Sequence, residues 1–307
     1  MAKVRDIQSR IKSVGSTKKI TKAMEMVSAS KMRKAIESVL KTRAYSDLSW
    51  KILQNLSKVN SGSEILHPLL KKKNEVKTIG IVLITSNRGL CGGFNASLFN
   101  KVIEFTKRGI SKDKTQDIKY EFIVLGNKGK AIYQRYGYDI VAQFSKLDLA
   151  EGIDEVSPIA ELAIMDFLSN RYDKVFVAYN DFVSVAKQIP RVKQLLPIDI
   201  KDHEEFLGSI KKESSHDANS EKIEYLFEPN PYEILNTMLP RIIKMQLYQA
   251  LLESNASEHS SRMTAMKQAT DAAGELVDEL RLFYNKARQS GITSEIAEIS
   301  AGANALK

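Results

Sequence analysis

The chain has 307 residues, of which 43% are hydrophobic and 27% charged, a balance that excludes both a disordered polymer and a membrane-embedded one. Its formal net charge is +9, and residues 1–43 alone hold eight lysines and four arginines against Asp6, Glu25 and Glu37, so a neutral body carries one basic arm. The single cysteine, Cys91, excludes an intrachain disulfide and a cysteine-built zinc cluster, and the four scattered histidines point to no metal site.

Residues 3–58 contain no proline and one glycine, Gly15. Val4, Ile7, Ile11 and Val14 recur at helical spacing, and the stripe then shifts to Ile20, Met24 and Val27 before Met32, Ile36 and Val39. This predicts a helix within residues 1–60, its stretch from 3 to about 58 roughly 80 Å long at 1.5 Å per residue. Such a length exceeds the interior of a compact domain and calls for a partner helix. The basic arm calls for an acidic partner, whether nucleic acid, anionic lipid or protein, or else forms a solvated helix face.

Between residues 75 and 200 the period changes. Thr78–Thr85, Tyr120–Leu125 and Lys174–Tyr179 suit buried strands, with helices expected at 95–107, 127–136 and 158–170 between them. Strands alternating with helices predict an α/β layer with a partly parallel sheet. Gln188–Ile198, with Pro190 and Pro197, suits an added edge strand. The polar residues 201–230 are expected to be a loop-rich connection, mobile around Gly208–Ser220.

Asn230-Pro231 then opens a C-terminal helix over 231–307, with Asn230 as its cap and Pro240 expected to kink or interrupt it. Met266, Ala269, Ala273, Leu276, Leu280, Phe283 and Ala287 follow a coiled-coil register, and Ile292, Ile296, Ile299 and Leu306 extend it. The fold expected is α+β: a long antiparallel coiled coil of the N- and C-terminal helices, with an inserted Rossmann-like α/β domain. The C-terminal helix should overhang its partner, leaving an apolar tip in need of a socket from another protein. The longest apolar run, Ile79–Ile84, is far short of the ~20 residues that span a bilayer. The charged N-terminus shows no secretory signal or organelle presequence, so a soluble protein of a reducing compartment is expected.

Few motifs carry chemistry. Ser86-Asn87-Arg88-Gly89-Leu90-Cys91-Gly92-Gly93-Phe94-Asn95 follows a strand and precedes a helix, where phosphate loops sit. It lacks both the P-loop ending and the dinucleotide glycine spacing, as does Gly126–Lys130. A tight turn with glycines at positive φ is the simpler account. Cys91 has no His or Asp that can be placed beside it, which favours a small buried thiol over a nucleophile. No grouping of acids, bases or nucleophiles stands out, so no catalytic, cofactor or metal residue is assigned. The arm's first aromatic is Tyr45 and no nucleic-acid motif appears. Lysine-rich charge without readout chemistry fits an acidic protein surface at least as well as nucleic acid.

Longer motifs add a resemblance. Ile20-Thr21-Lys22-Ala23-Met24-Glu25-Met26-Val27 with Ala29-Ser30-Lys31-Met32, the turn Arg88–Gly93, and Met266-Lys267-Gln268-Ala269-Thr270-Asp271-Ala272 with Tyr284-Asn285-Lys286-Ala287-Arg288-Gln289 and Ile292-Thr293 resemble the γ subunit of bacterial-type, proton-translocating F-type ATP synthases. The motifs fall in order at both ends and in the middle, so the resemblance covers essentially the whole chain. It implies a non-catalytic rotor or central stalk without a cofactor, coupling proton flow through the membrane c-ring to ATP synthesis and hydrolysis. It implies α and β subunits of the catalytic ring, an ε subunit and a c-subunit ring as partners. Membrane association would come only through the complex, on the cytoplasmic face of the bacterial inner membrane. By position, Lys18, Lys19, Lys22, Met24, Arg262, Gln268 and Thr270 are expected at the α/β ring, with Ile292, Ile296 and Ile299 in its apolar sleeve. A lone cysteine lacks the dithiol pair of the chloroplast versions.

Overall fold

The computed structural model describes residues 2–59, 67–73, 75–108, 118–148, 152–199 and 230–305. The expected connection over 201–230 lies, apart from Asn230, outside the described residues, as does Leu306. The chain divides into two compact units, residues 29–261 and residues 1–28 with 262–307. Helices α1 (Ala2–Val59) and α5 (Pro231–Ala305) contribute to both.

The unit of residues 29–261 is built on a five-stranded sheet: β1 (Thr78–Ile84), β2 (Lys119–Leu125), β3 (Asp139–Phe144), β4 (Lys174–Ser184) and β5 (Lys187–Leu196). Their order is β3-β2-β1-β4-β5. β1, β2, β3 and β4 pair in parallel, while β5 runs antiparallel to β4 at the edge. This is the order of the first strands of a dinucleotide-type sheet, which makes the inserted layer Rossmann-like. Crossovers run through α2 (Phe94–Arg108), α3 (Ala131–Tyr136) and α4 (Ser157–Leu168).

Strand alternation sorts the core onto two faces. Ile79, Ile81, Leu83, Phe122, Val124, Phe176 and Ala178 face Leu98, Phe99 and Val102 of α2 and Ile132 of α3. Val82, Ile84, Ile123, Leu125, Val175, Val177 and Tyr179 face the other way. There they meet α4, Val39, Trp50 and Leu53 of α1, and Leu235–Leu252 of α5. β3 was not expected from sequence. It is a short, half-buried edge strand behind the left-handed Gly137 that closes α3 (φ 73°), so no long apolar run marks it. Pro190 lies in edge strand β5, where a missing N–H costs no ladder bond.

Asn230 caps α5 as expected, accepting from the Glu233 N–H at 2.9 Å, with Pro231 as the first helical residue. Pro240 does not interrupt the helix. Loss of one backbone bond and the ring clash together cost about 3 kcal/mol, but the buried neighbours Leu235, Leu239, Ile242 and Ile243 hold the helix against the sheet. Burying four such side chains stabilises by roughly 1.5–3 kcal/mol each.

In the other unit, α1 and α5 form the expected antiparallel pair. The Thr270 hydroxyl donates to Thr21 Oγ1 at 2.8 Å, and Lys18 lies over Gly274 one turn further along. The seam on α5 is Met266, Thr270, Ala273, Val277, Leu280, Tyr284 and Ala287, each buried or half-buried. The expected register shared Met266, Ala273, Leu280 and Ala287 with it but placed Leu276 and Phe283 inside; both are exposed. On α1 the stripe does not shift. It continues from Val4, Ile7, Ile11 and Val14 through Lys18 to buried Thr21 and Ser28. Ile20 and Val27 instead face outward, 60% and 56% exposed. Small and polar residues hold the heptad where the helices come close.

Candidate functional site

With Thr21 opposite Thr270, the antiparallel register sets Ala2 opposite about Gln289. Residues 291–305 of α5 therefore continue beyond the reach of α1, about four turns at 3.6 residues per turn. Residues 288–304 are exposed throughout. Ile292, Ile296 and Ile299 recur at helical spacing on this end, the last 67% exposed. Phe283, Leu282 and Leu276 add apolar surface further back. Exposed apolar stripes of this kind are the surfaces that mark protein interaction sites.

Charge is one-sided on this pair. Residues 1–28 carry seven lysines and arginines against Asp6 and Glu25, while residues 262–307 balance six against six. Lys18, Lys19 and Lys22 are exposed. Lys22 bridges Glu25 at 2.9 Å, and the end of the Lys18 side chain lies over Gly274. Met24 is half-buried beside them and Gln268 is exposed. Arg262 and Thr270 are buried within the chain, and the Thr270 hydroxyl is committed to Thr21 and to the Met266 carbonyl at 2.8 Å each. The structure therefore presents Lys18, Lys19, Lys22, Gln268 and the three isoleucines outward. It uses Thr270 as a seam residue.

The loop after β1 is a self-satisfied turn. Asn95 accepts from the Ser86 N–H at 3.1 Å and donates to Ser86 Oγ at 2.7 Å, while Ser86 Oγ donates to the Arg88 carbonyl at 2.8 Å. Positive φ falls at Gly92, as glycine permits, and at Leu90 rather than Gly89. Buried Cys91 has Asn95 Nδ2 at 3.5 Å and Ser86 Oγ at 3.8 Å. Neither can take a proton from a thiol as a general base, which fits a packed thiol. Gly126 (φ 99°) is required, because a Cβ there would strike the Thr85 carbonyl.

In open α/β sheets, ligands bind outside the carboxyl ends of the strands, where the order reverses. Here that reversal lies between β1 and β4. The residues after β3 tie themselves to α5 at this end of the sheet. Lys146 Nζ pairs with Glu258 at 2.7 Å, with the side chains 2% and 5% exposed. Asn255 donates to the Leu147 carbonyl at 3.3 Å, and His259 Nε2 bonds the Asp148 carbonyl at 3.0 Å. Asn87 donates to the Lys146 carbonyl, and Lys31 of α1 pairs with Asp148 at 2.6 Å. Burial raises the Asp148 pKa, but the Lys31 bond and charge, with His259 and Arg88, bring it below the ordinary value. Ser260 donates to the Val185 carbonyl at 2.8 Å. The sequence reading missed this set. Its only signal is a run of polar residues, Ser254–Ser260, inside a helix that is buried on all sides from Gln246 to Ser260.

Among the described residues no group of three His, Cys, Asp or Glu is placed to hold a metal ion. No described helix is long and apolar enough to cross a membrane.

Comparison with known proteins agrees across the whole length. Residues 3–306 match the family described as ATP synthase. The chain is 41% identical to the ATP synthase gamma chain of Herpetosiphon aurantiacus over 311 residues, covering 100% of this chain and 99% of that one. It is 39% identical to the ATP synthase gamma chain of Coxiella burnetii (strain CbuG_Q212) over 308 residues, covering both completely. Its fold resembles a chain in the solved OSCP/F1/c-ring assembly of the Euglena gracilis mitochondrial ATP synthase in rotational state 3. The TM-score is 0.65 at 17% identity, over 99% of this chain and 95% of that one. A basic helix paired antiparallel with a longer one, joined through a Rossmann-like layer, thus coincides with full-length identity near 40%, and the chain belongs to the gamma chain family of ATP synthase.

Proposed function

We propose that this chain is the central rotor-stalk subunit of a bacterial, proton-translocating F-type ATP synthase. It turns within the ring of α and β subunits and transmits torque between that ring and the membrane ring of c subunits. It carries no catalytic residue of its own. The ε subunit joins it near the c-ring, and the assembly sits peripherally on the cytoplasmic face of the inner membrane. Family membership supports this assignment, and the observation that carries it is the antiparallel helix pair, with α5 running about four turns beyond α1 into an exposed isoleucine stripe.

The physical demands of rotation fit the surface of this pair. A shaft that passes several different subunits cannot lock into deep pockets at every angle. Exposed ion pairs contribute only ~0–1 kcal/mol each and are screened beyond about 8 Å at physiological salt. Lys18, Lys19 and Lys22 supply contacts of that renewable kind to an acidic loop. The apolar tip is suited to a bearing, since hydrophobic contact is non-directional.

The test is co-expression with cognate α and β subunits, purification by size exclusion, and assay of ATPase activity, followed by proton pumping in membranes. A stoichiometric complex whose sustained ATPase and pumping require this chain is the expected result. Failure to co-purify with well-folded α and β subunits would overturn the assignment.

A further inference from the structure

One cluster in the unit of residues 29–261 is left unused by the rotor function. Alternation places Val177, Tyr179 and Asp181 of β4 on the face toward α5, and cross-strand pairing sets Lys193 opposite Val177 and Arg191 opposite Tyr179. Into this face α5 presents Gln246, Gln249 and Glu253, and a small cleft between them is lined by Val177, Tyr179, Lys193, Gln194, Leu195, Gln246, Gln249 and Ala250. Glu253 and Asp181 are both buried. Asp181 has Arg191 Nε at 2.7 Å. Glu253 Oε1 accepts from Gln249 Nε2 at 3.2 Å, and the Tyr179 hydroxyl lies against the same carboxyl.

The cluster is short of donors. Glu253 Oε2, Gln246 Oε1 and Gln249 Oε1 are all buried, and none of them has a hydrogen-bond donor among the described residues. Each such oxygen has given up its water partners without a replacement, which destabilises the seated state. One proton on Glu253 converts its orphan oxygen into a hydroxyl donor and removes one of two buried carboxylate charges. We propose that Glu253 is a proton-operated clasp: protonated, it seats the middle of α5 on the β4–β5 hairpin, and deprotonated, it loosens that seat.

The charges facing it agree. Burial, and next the charge of Asp181, raise the Glu253 pKa to about 7, against the opposing effects of Lys193, Gln249 and Tyr179. Tyr179 is itself raised by burial and then by Glu253, and so stays neutral. Arg191 of β5 is committed to Asp181. Among the described side chains of α1 in this unit, the buried ones are Met32, Ala35, Val39, Ser46, Trp50 and Leu53, all uncharged.

The sign follows from linkage. A carboxyl whose folded value exceeds its unfolded value stabilises fully below the unfolded value, and the stability is lost as pH rises through the folded one. With values of about 7 in the seated state and 4.5 when exposed, local opening should rise about tenfold between pH 6 and 8.5. The experiment is hydrogen exchange of α5 peptides covering 246–260 in the purified full-length complex, corrected for intrinsic exchange. Wild type should show that rise, Glu253→Gln should be flat, and Lys193→Gln, at a partly exposed position, should move the midpoint to higher pH. A wild-type profile without a pH step, or a step that survives in Glu253→Gln, overturns the clasp. If Glu253→Gln does not fold, an unmoved midpoint in Lys193→Gln overturns it alone.

Discussion

Lys146 and Glu258 form an ion pair 2.7 Å apart with almost no solvent at either side chain. Replacing Lys146 by Met keeps the length and apolar body of the side chain but removes the ammonium. Glu258 then loses the cation 2.7 Å away, and breaking one side of a buried pair costs ~3–5 kcal/mol. At about 1.4 kcal/mol per factor of ten, the folding equilibrium should fall by two to three and a half decades. Removing both charges is a different perturbation. In Lys146→Met/Glu258→Leu both charges of this pair are gone, and the double variant should lie within ~1 kcal/mol of wild type or above it. The assay is built into the chain. Trp50 is the single tryptophan and is buried in the core of the same unit, so its fluorescence in a urea titration follows this unit. The midpoint should drop in Lys146→Met and recover in the double variant at unchanged slope. Single substitutions costing under ~1 kcal/mol each, or costs that simply add in the double variant, would refute the premise that burial governs this pair.

Further outcomes follow from the same geometry. Gly126→Ala places a Cβ against the Thr85 carbonyl at φ 99° and should abolish soluble expression or cost several kcal/mol. Gly274→Ala meets only the movable end of Lys18 and should be neutral or stabilise by up to ~1 kcal/mol, read as the circular-dichroism melting temperature. Burial raises the Asp173 pKa, but bonds from the Thr78 and Lys77 N–H groups and Lys73 carry it below 3.8. Its stabilisation is therefore present above that value and lost as pH falls through the lower folded one. Asp173→Asn should destabilise at pH 7, and the gap to wild type should close below about pH 4. Lys18→Ala/Lys19→Ala/Lys22→Ala should alter ATPase coupling at low salt more than at high salt, and wild-type behaviour at both would dismiss the electrostatic contact. Leu280→Pro, half-buried in the seam, should leave ATP hydrolysis but abolish ATP-driven proton pumping, because a mid-helix proline costs about 3 kcal/mol and bends the shaft.

The layered middle of the chain was legible because its strands are buried on both faces. Ile79–Ile84 and Phe122–Leu125 alternate between two apolar layers, so nearly every residue is apolar and the run stands out. β3 has an exposed edge and only half of that signal. The seam was harder for a chemical reason. Sequence periodicity finds leucine and isoleucine, whereas this seam closes on Thr21, Ser28, Thr270, Ala273 and Gly274. Small residues let two helices approach closely, and the large apolar side chains beside them, Ile20, Val27, Leu276 and Phe283, are left facing outward. The buried polar run at 254–260 was hidden for the converse reason. A helix covered on all sides has no exposed face, so polarity there signals specific partners rather than solvent.

Those partners alter the kind of joint that the helix makes. Leucine packing resists separation but has little preference for rotation or axial sliding, since its energy depends on area rather than direction. Bonds from Asn255, His259 and Ser260 to the carbonyls of Leu147, Asp148 and Val185 depend on angle as well as distance. They enter the helix from two separate loops, within about two turns. A twist or a pull on α5 must strain all of them together before the helix can slip. The sheet end that serves as a ligand mouth in other proteins is here a keyed coupling, fixing the phase and height of α5 over residues 255–260.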